Sequence, residues 1–144
     1  MKILLKFYYA INFSIKFILG SYVNENKLLK SLIKNNEIIY FDVGSNVGND
    51  IKKINKAFRN RTVLTHAFEP STKLCEKLSN ISKNIQVNNV AVSNQEGNTN
   101  FYERRISSQS SIFSETENPL NEIVDEYTVK VINLDDYIIN NNIK

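Results

Sequence analysis

Glycine, proline and cysteine are scarce in this sequence, and their scarcity excludes several classes of protein. With 4 glycines and 2 prolines in 144 residues, the chain is neither collagen-like nor a low-complexity polymer. A single cysteine, Cys75, excludes a disulfide scaffold and favours a reducing compartment, so we expect a cytoplasmic protein. The remaining composition, 42% apolar and 23% charged, is typical of a globular domain.

Charge of one sign and long apolar runs are lacking as well. A net charge of +3 without lysines interleaved with aromatics does not predict a nucleic-acid surface. The most apolar stretch, residues 1–19, has no uncharged run beyond residues 7–15, about half the length of a membrane-spanning helix. Its lysines share one arc at helical spacing, which predicts a basic amphipathic helix. That helix either docks on its own domain or makes peripheral contact with an anionic membrane.

The apolar pattern divides the chain into an N-terminal helical segment, residues 1–35, and an α/β domain, residues 36–144. Strands are predicted at residues 38–41, 62–68 and 85–92, with helices that begin near Val47 and at Ser71. Alternation of strands and helices in this order predicts a parallel, doubly wound sheet.

In the last third of the chain, the sequence predicts a turn, two strands separated by a loop, and a final short helix. A turn at residues 94–98 favours a hairpin into a short strand at residues 99–102. Residues 107–126 are expected to form a loop and residues 127–132 a strand, and Asp135 or Asp136 is expected to cap a final short helix. Serines at 107–111 are expected to be solvated loop residues, with a lid or a contact to a substrate as the other interpretation.

The most informative segment is the turn after the first strand, which holds two of the four glycines. Gly44 leaves room for a ligand to approach the backbone, and Gly48 lets the next helix begin close to the strand. A dinucleotide fingerprint would place a glycine where this chain has Asn46, which weakens the case for a pyrophosphate. Asp42 would repel a pyrophosphate and attract an ammonium group, so the turn favours a positively charged cofactor.

The second candidate site residue is Glu69, at the end of the second predicted strand, 25 positions after Gly44. A carboxylate at that place can accept hydrogen bonds from both hydroxyls of a ribose, whereas a solvated or helix-capping glutamate is the alternative. His66, the only histidine, lies inside the same strand and is expected to be packed and hydrogen-bonded. No catalytic base and no metal site are predicted.

Four segments carry a resemblance to a known family: YFDVGSNVG, HAFEP, NNVAVSNQEGNTNFY and VINLDDYI, in this order. Together they resemble the FkbM-type S-adenosylmethionine-dependent methyltransferases over residues 29–138. The resemblance implies a Rossmann-like class I methyltransferase sheet and S-adenosylmethionine as cofactor. It implies a methionine end lined by Asp42, Gly44, Asn46 and Gly48, a ribose held by Glu69, and an adenine bordered by Asn89, Val90 and Ala91.

The resemblance also implies a reaction and an incomplete sheet. The acceptors of such enzymes are small molecules or glycans, so O-methylation of a sugar or natural-product hydroxyl is the implied activity. Family members continue beyond the VINLDDYI segment, so this chain is expected to carry the first half of the sheet. The strand at residues 38–42 would then have an unpaired edge, and residues 38–41 contain no proline or charge, which predicts marginal stability or self-association.

Two other functions stay open. The chain is either an active methyltransferase or a catalytically inactive remnant that serves as a cofactor-binding or interaction module. Transfer of a labelled methyl group would distinguish these two, since a remnant never transfers it. A nucleotide-dependent oxidoreductase would use a related fold, although Asn46 at the central glycine position argues against it.

Overall fold

The computed structural model describes residues 25–114 and 121–143, so the amphipathic helix predicted for residues 1–19 lies outside the described residues. The helices are α1 (Glu25–Leu32), α2 (Asn49–Ala57), α3 (Thr72–Ser79) and α4 (Leu134–Asn140), with a 3-10 turn at Ser107–Gln109. The strands are β1 (Glu37–Val43), β2 (Thr62–Phe68), β3 (Ile85–Asn88), β4 (Ala91–Ser93), β5 (Gly97–Arg104) and β6 (Ile123–Asn133). None of the described helices is both long and apolar enough to cross a membrane.

The first sheet is parallel, with the strand order β1-β2-β3, which confirms the predicted α/β organisation. Ile38 lies opposite Val63 in the register of β1 and β2, and both side chains are buried under Ile54 and Phe58 of the α2 region. Further along the same face, Ala67 packs with residues of α2 and α3. Helices that follow strands therefore cover this face, as the βαβ order requires.

The opposite face of the first sheet packs against α4. Phe41 and His66 are stacked with ring centroids 5.0 Å apart, and Tyr137 of α4 meets Phe68 edge to face at 4.9 Å. The Nδ1 atom of His66 lies 2.9 Å from the Tyr137 hydroxyl. The expectation of a packed, hydrogen-bonded histidine is confirmed. His66 holds α4 against the sheet through its contact with Tyr137.

A second sheet has the order β4-β6-β5, with β4 parallel and β5 antiparallel to β6. The predicted third strand is therefore divided, because Asn88 ends β3 in one sheet and Ala91 begins β4 in the other. The predicted hairpin is wrong, since β6 lies between β4 and β5. Val129 and Val131 of β6 pack with buried Ala91 and Phe101, and this long-range apolar contact decides the pairing.

The start of β6 and the cap of α4 also differ from the sequence prediction. β6 begins at Ile123, inside the segment expected to be a loop. Neither Asp135 nor Asp136 caps α4; the cap is Asn133, whose Oδ1 accepts from their backbone N–H groups at 2.8 and 3.4 Å. An asparagine directly before the helix reaches these free N–H groups, which the aspartates, already inside the first turn, cannot do for themselves.

Candidate functional site

The carboxyl ends of β1 and β2 meet, and the site lies at this edge of the sheet. Val43 pairs with Phe68 as the last residues of the two strands. The backbone N–H groups of Gly44 and Ser45 both donate to the Phe68 carbonyl, at 2.9 and 3.2 Å. The glycine turn is thus fastened to the end of β2, where Glu69 follows.

Glu69 is buried, with 4% of its surface exposed, and its carboxylate joins two segments of backbone. Its Oε2 accepts from Asn46 N–H at 2.7 Å, and its Oε1 accepts from Ser71 N–H at 2.9 Å. Burial raises the pKa of this carboxyl, and the two N–H groups partly oppose the shift. A carboxylate oxygen can accept more than one hydrogen bond, so each Glu69 oxygen has acceptor capacity beyond its one backbone partner.

Asp42 carries a second buried carboxylate, with 5% of its surface exposed. Its Oδ1 accepts from the Tyr40 hydroxyl at 3.1 Å, whereas its buried Oδ2 has no hydrogen-bond partner among the described residues. Burial is the main cause of a raised pKa at Asp42, and the charge of Asp50 adds to it. An unpartnered buried carboxylate oxygen is costly when charged, which is consistent with the raised pKa of Asp42.

The two glycines of the turn have almost the same backbone conformation and different surroundings. Gly44 has a φ of +74°, and a Cβ atom there would meet nothing within 4 Å. Gly48 has a φ of +71°, and a Cβ atom there would collide with Ile81 Cδ1 and lie 2.9 Å from Leu78 Cδ2. Gly44 therefore opens the turn to a ligand, and Gly48 lets the turn pack closely against the α3 region.

A cavity of about 280 Å³ lies between the glycine turn and the second sheet. The predicted site residues that line it are Gly44, Asn46, Glu69, Val90 and Ala91. The predicted site residues outside this lining are Asp42, Gly48 and Asn89. Asn89 instead holds the turn after β2, because its Nδ2 donates to the Glu69 and Pro70 carbonyls at 3.0 and 2.7 Å.

Four serines form the wall of the cavity that faces the glycine turn. From the sequence, these serines are expected to be solvated loop residues. They are Ser107, Ser108, Ser110 and Ser111. Two contacts hold this segment near β5, a bridge between Ser111 and Tyr102 and a hydrogen bond of 2.9 Å from Arg104 N–H to Ser110 Oγ. No local pattern reveals this position, because it depends on the pairing of β5 with the distant β6. The repeated serines indicate a polar loop and do not specify where that loop lies.

Known proteins resemble this chain in sequence and in structure. The family model described as the methyltransferase FkbM domain matches residues 42–144. The crystal structure of methyltransferase FkbM from Methylobacillus flagellatus KT is similar at 13% sequence identity and a TM-score of 0.46, over 74% of this chain and 24% of that chain. This chain thus spans about a quarter of the length of that relative. Comparison with curated proteins gives no significant match. Since the family match covers well over half of the sequence, the chain belongs to the FkbM methyltransferase domain family.

Proposed function

We propose that this chain binds S-adenosylmethionine and forms the cofactor-binding part of a methyltransferase that acts on a hydroxyl group of a sugar or natural product. Family membership supports the methyl donor and the reaction type. The parallel sheet with its glycine turn is consistent with a Rossmann-like fold, in which ligands bind at the carboxyl ends of the strands. The observation that carries the proposal is the buried Glu69 carboxylate beside that turn.

The charge of the cavity favours a cationic cofactor. Glu69 lines it, and besides burial the negative charge of Asp42 contributes to the raised pKa of Glu69. None of the described residues that line the cavity is a lysine, arginine or histidine. A sulfonium and an ammonium group would be attracted to this environment, whereas a dinucleotide pyrophosphate would be repelled. The oxidoreductase alternative is disfavoured for the same reason.

The predicted residues that line the cavity suit S-adenosylmethionine in the order that the family resemblance implies, and Asp42, Gly48 and Asn89 lie outside the lining. Gly44 has open space where the cofactor would pass, Glu69 would accept from the ribose hydroxyls, and Val90 and Ala91 would border the adenine. When bound, the cofactor supplies an electrophilic methyl group. Displacement at a sulfonium methyl requires an aligned acceptor more than a strong base, so these residues would act by binding and orientation.

Calorimetric titration with S-adenosylmethionine and S-adenosylhomocysteine tests the proposal. We expect Glu69→Gln to weaken binding about tenfold to a hundredfold, because a hydrogen bond to a charged acceptor contributes about 1 to 3 kcal/mol. Glu103→Gln is a matched control. Its side chain is also largely shielded and accepts from Ser71 Oγ at 3.3 Å, but it does not line the cavity.

If Glu69→Gln and the unaltered chain bind with equal affinity and have the same thermal stability, Glu69 does not contact the cofactor. Failure of the unaltered chain to bind either nucleoside would reject the cofactor proposal. Transfer of a labelled methyl group to a glycan extract then tests the hydroxyl acceptor, and cofactor binding without transfer would favour a non-catalytic binding module.

A further inference from the structure

One hydrogen bond links the glycine turn to the serine wall across the cavity. The Ser107 hydroxyl donates to Asn46 Oδ1 at 3.2 Å, between residues 61 positions apart in the chain. Both side chains line the cavity and both are partly buried. The contact therefore lies where a ligand would be held.

Asn46 is fixed at three points. Its backbone has a left-handed φ of +48°, which asparagine adopts more readily than most residues. Its N–H donates to Glu69 Oε2, and its side-chain oxygen accepts from Ser107. The two N–H bonds of its Nδ2 group donate to no described residue. Asn46 lines the cavity, and within the described part of the chain these two donors have no partner.

Ser107 is itself held in place by a buried network. The Ile106 N–H donates to Asn121 Oδ1 at 2.8 Å, and Asn121 Nδ2 donates to Gln109 Oε1 at 2.7 Å, on either side of Ser107. Arg104 Nη1 donates to the Asn121 carbonyl at 3.0 Å. Asn121 and Arg104 are 2% and 4% exposed. A buried, hydrogen-bonded asparagine therefore fixes the turn that presents the Ser107 hydroxyl.

The chemistry of the lining indicates what the free Asn46 donors would bind. Among the described lining residues, side-chain donors come only from Asn46 and the four serines. Glu69 supplies acceptors, which suit hydroxyl and ammonium groups. A carboxylate on the ligand needs donors, and an amide Nδ2 group supplies two of them.

We propose that Ser107 is a positioning residue that fixes the Asn46 amide with its oxygen toward the serine wall and its Nδ2 group toward the carboxylate of the cofactor's amino-acid portion. This inference rests on the proposed cofactor site and adds a residue from outside the glycine turn. Ser107 acts through Asn46, and the contact makes the 3-10 turn after β5 a part of the proposed cofactor site.

Two ligands separate this role from a structural one. S-adenosylhomocysteine has the amino-acid portion, and 5′-methylthioadenosine lacks it. We expect Ser107→Ala to weaken the binding of S-adenosylhomocysteine about tenfold, and Asn46→Asp to weaken it about a hundredfold. The affinity of either variant for 5′-methylthioadenosine should change less than about twofold. Asn46→Asp keeps the acceptor for Ser107 and replaces the donors with a negative charge. Ser107→Thr, which keeps the hydroxyl, should retain the affinity of the unaltered chain.

Ser93→Ala is the matched control, because Ser93 Oγ also donates to an asparagine oxygen at 3.2 Å, on Asn94, outside the cavity. We expect it to change neither affinity. Equal losses for both ligands in Ser107→Ala, or no loss for either, would overturn the role of Ser107 while leaving the proposed function intact. An unaltered chain that binds neither ligand would overturn both. Calorimetry at matched thermal stability gives the affinities.

Discussion

At the level of single residues, the glycine turn separates binding from packing. Gly44 and Gly48 both have a positive φ, so any other residue there carries backbone strain. Only Gly48 faces side chains, those of Ile81 and Leu78. The two positions therefore form a matched pair in which the strain is shared and the steric collision is not.

We expect Gly48→Ala to lower the free energy of unfolding by about 2 to 4 kcal/mol, which combines backbone strain with an overpacked contact. Gly44→Ala should cost about 1 to 2 kcal/mol, because its Cβ meets open space. Urea titration of both variants measures the difference. Equal losses would show that Ile81 and Leu78 move aside freely.

The positions of residues that follow a strand end were predictable from the sequence. Glu69 and the turn at Gly44 follow two strands that pair in parallel, so the order of the elements alone brings them together. Ser107 was not predictable in this way, since its place is set by Asn121 and by contacts across the second sheet. Asp42 lies near the end of β1, as predicted. The cavity lining includes Val43 and not Asp42, and the sequence pattern alone did not show which of the two neighbours would line it.

At the level of elements, β1 is one of the two edge strands of the first sheet, and β3 is the other. Within the described residues β1 pairs with β2 on one side and with no strand on the other. Its central residues, from Ile38 to Phe41, carry no charge. An edge of this kind is a template for another strand.

We expect the chain to associate as its concentration rises, and Ile39→Lys to shift it toward monomer, because a charge on an edge strand opposes strand pairing. Sedimentation velocity over a concentration series measures this shift. Ile139→Lys is the control, since Ile139 is 68% exposed and lies on α4, outside any strand. A strictly monomeric unaltered chain would contradict the prediction, as would equal shifts in both variants.

Elements with a period visible in the sequence were predicted well, and their pairing was predicted less well. The apolar pattern of β1 and β2 sufficed because both strands are buried between helices. The turn before β5 indicates that the chain reverses, but it does not specify which strand lies alongside. Val129 and Val131 of β6 decide this by packing on Ala91 and Phe101, a contact that no local window contains.

At the level of the whole molecule, the buried carboxyls couple stability to pH. Burial raises the pKa of both Asp42 and Glu69, so the folded chain holds these protons more tightly than the unfolded chain does. Their contribution to stability is therefore largest at acidic pH and falls as the pH rises through the raised pKa values. Burial lowers the pKa of His66, so the unfolded chain binds this proton more tightly than the folded chain does. The contribution of His66 to stability therefore falls as the pH drops below the ordinary pKa of a histidine.

We expect the stability of Asp42→Asn to decline less than that of the unaltered chain as the pH rises above the ordinary range of an aspartate, because the amide has no proton to release. Comparing the variant with the unaltered chain at each pH cancels the contribution of His66. Denaturation in urea across the pH series gives both curves. Parallel curves would mean that the Asp42 carboxyl titrates alike in the folded and unfolded chains.

The division of the third predicted strand has a consequence for folding cooperativity. Asn88 belongs to one sheet and Ala91 to the other, so the two sheets are covalently joined here by Asn89 and Val90. The cavity has one wall on each sheet, and a ligand that fills it is bound only while both sheets are folded. Such a ligand adds about 2.7 kcal/mol of stability at a hundredfold excess over its Kd, and both sheets share this gain. Occupancy of the cavity would therefore favour unfolding of the two sheets as a single thermodynamic unit.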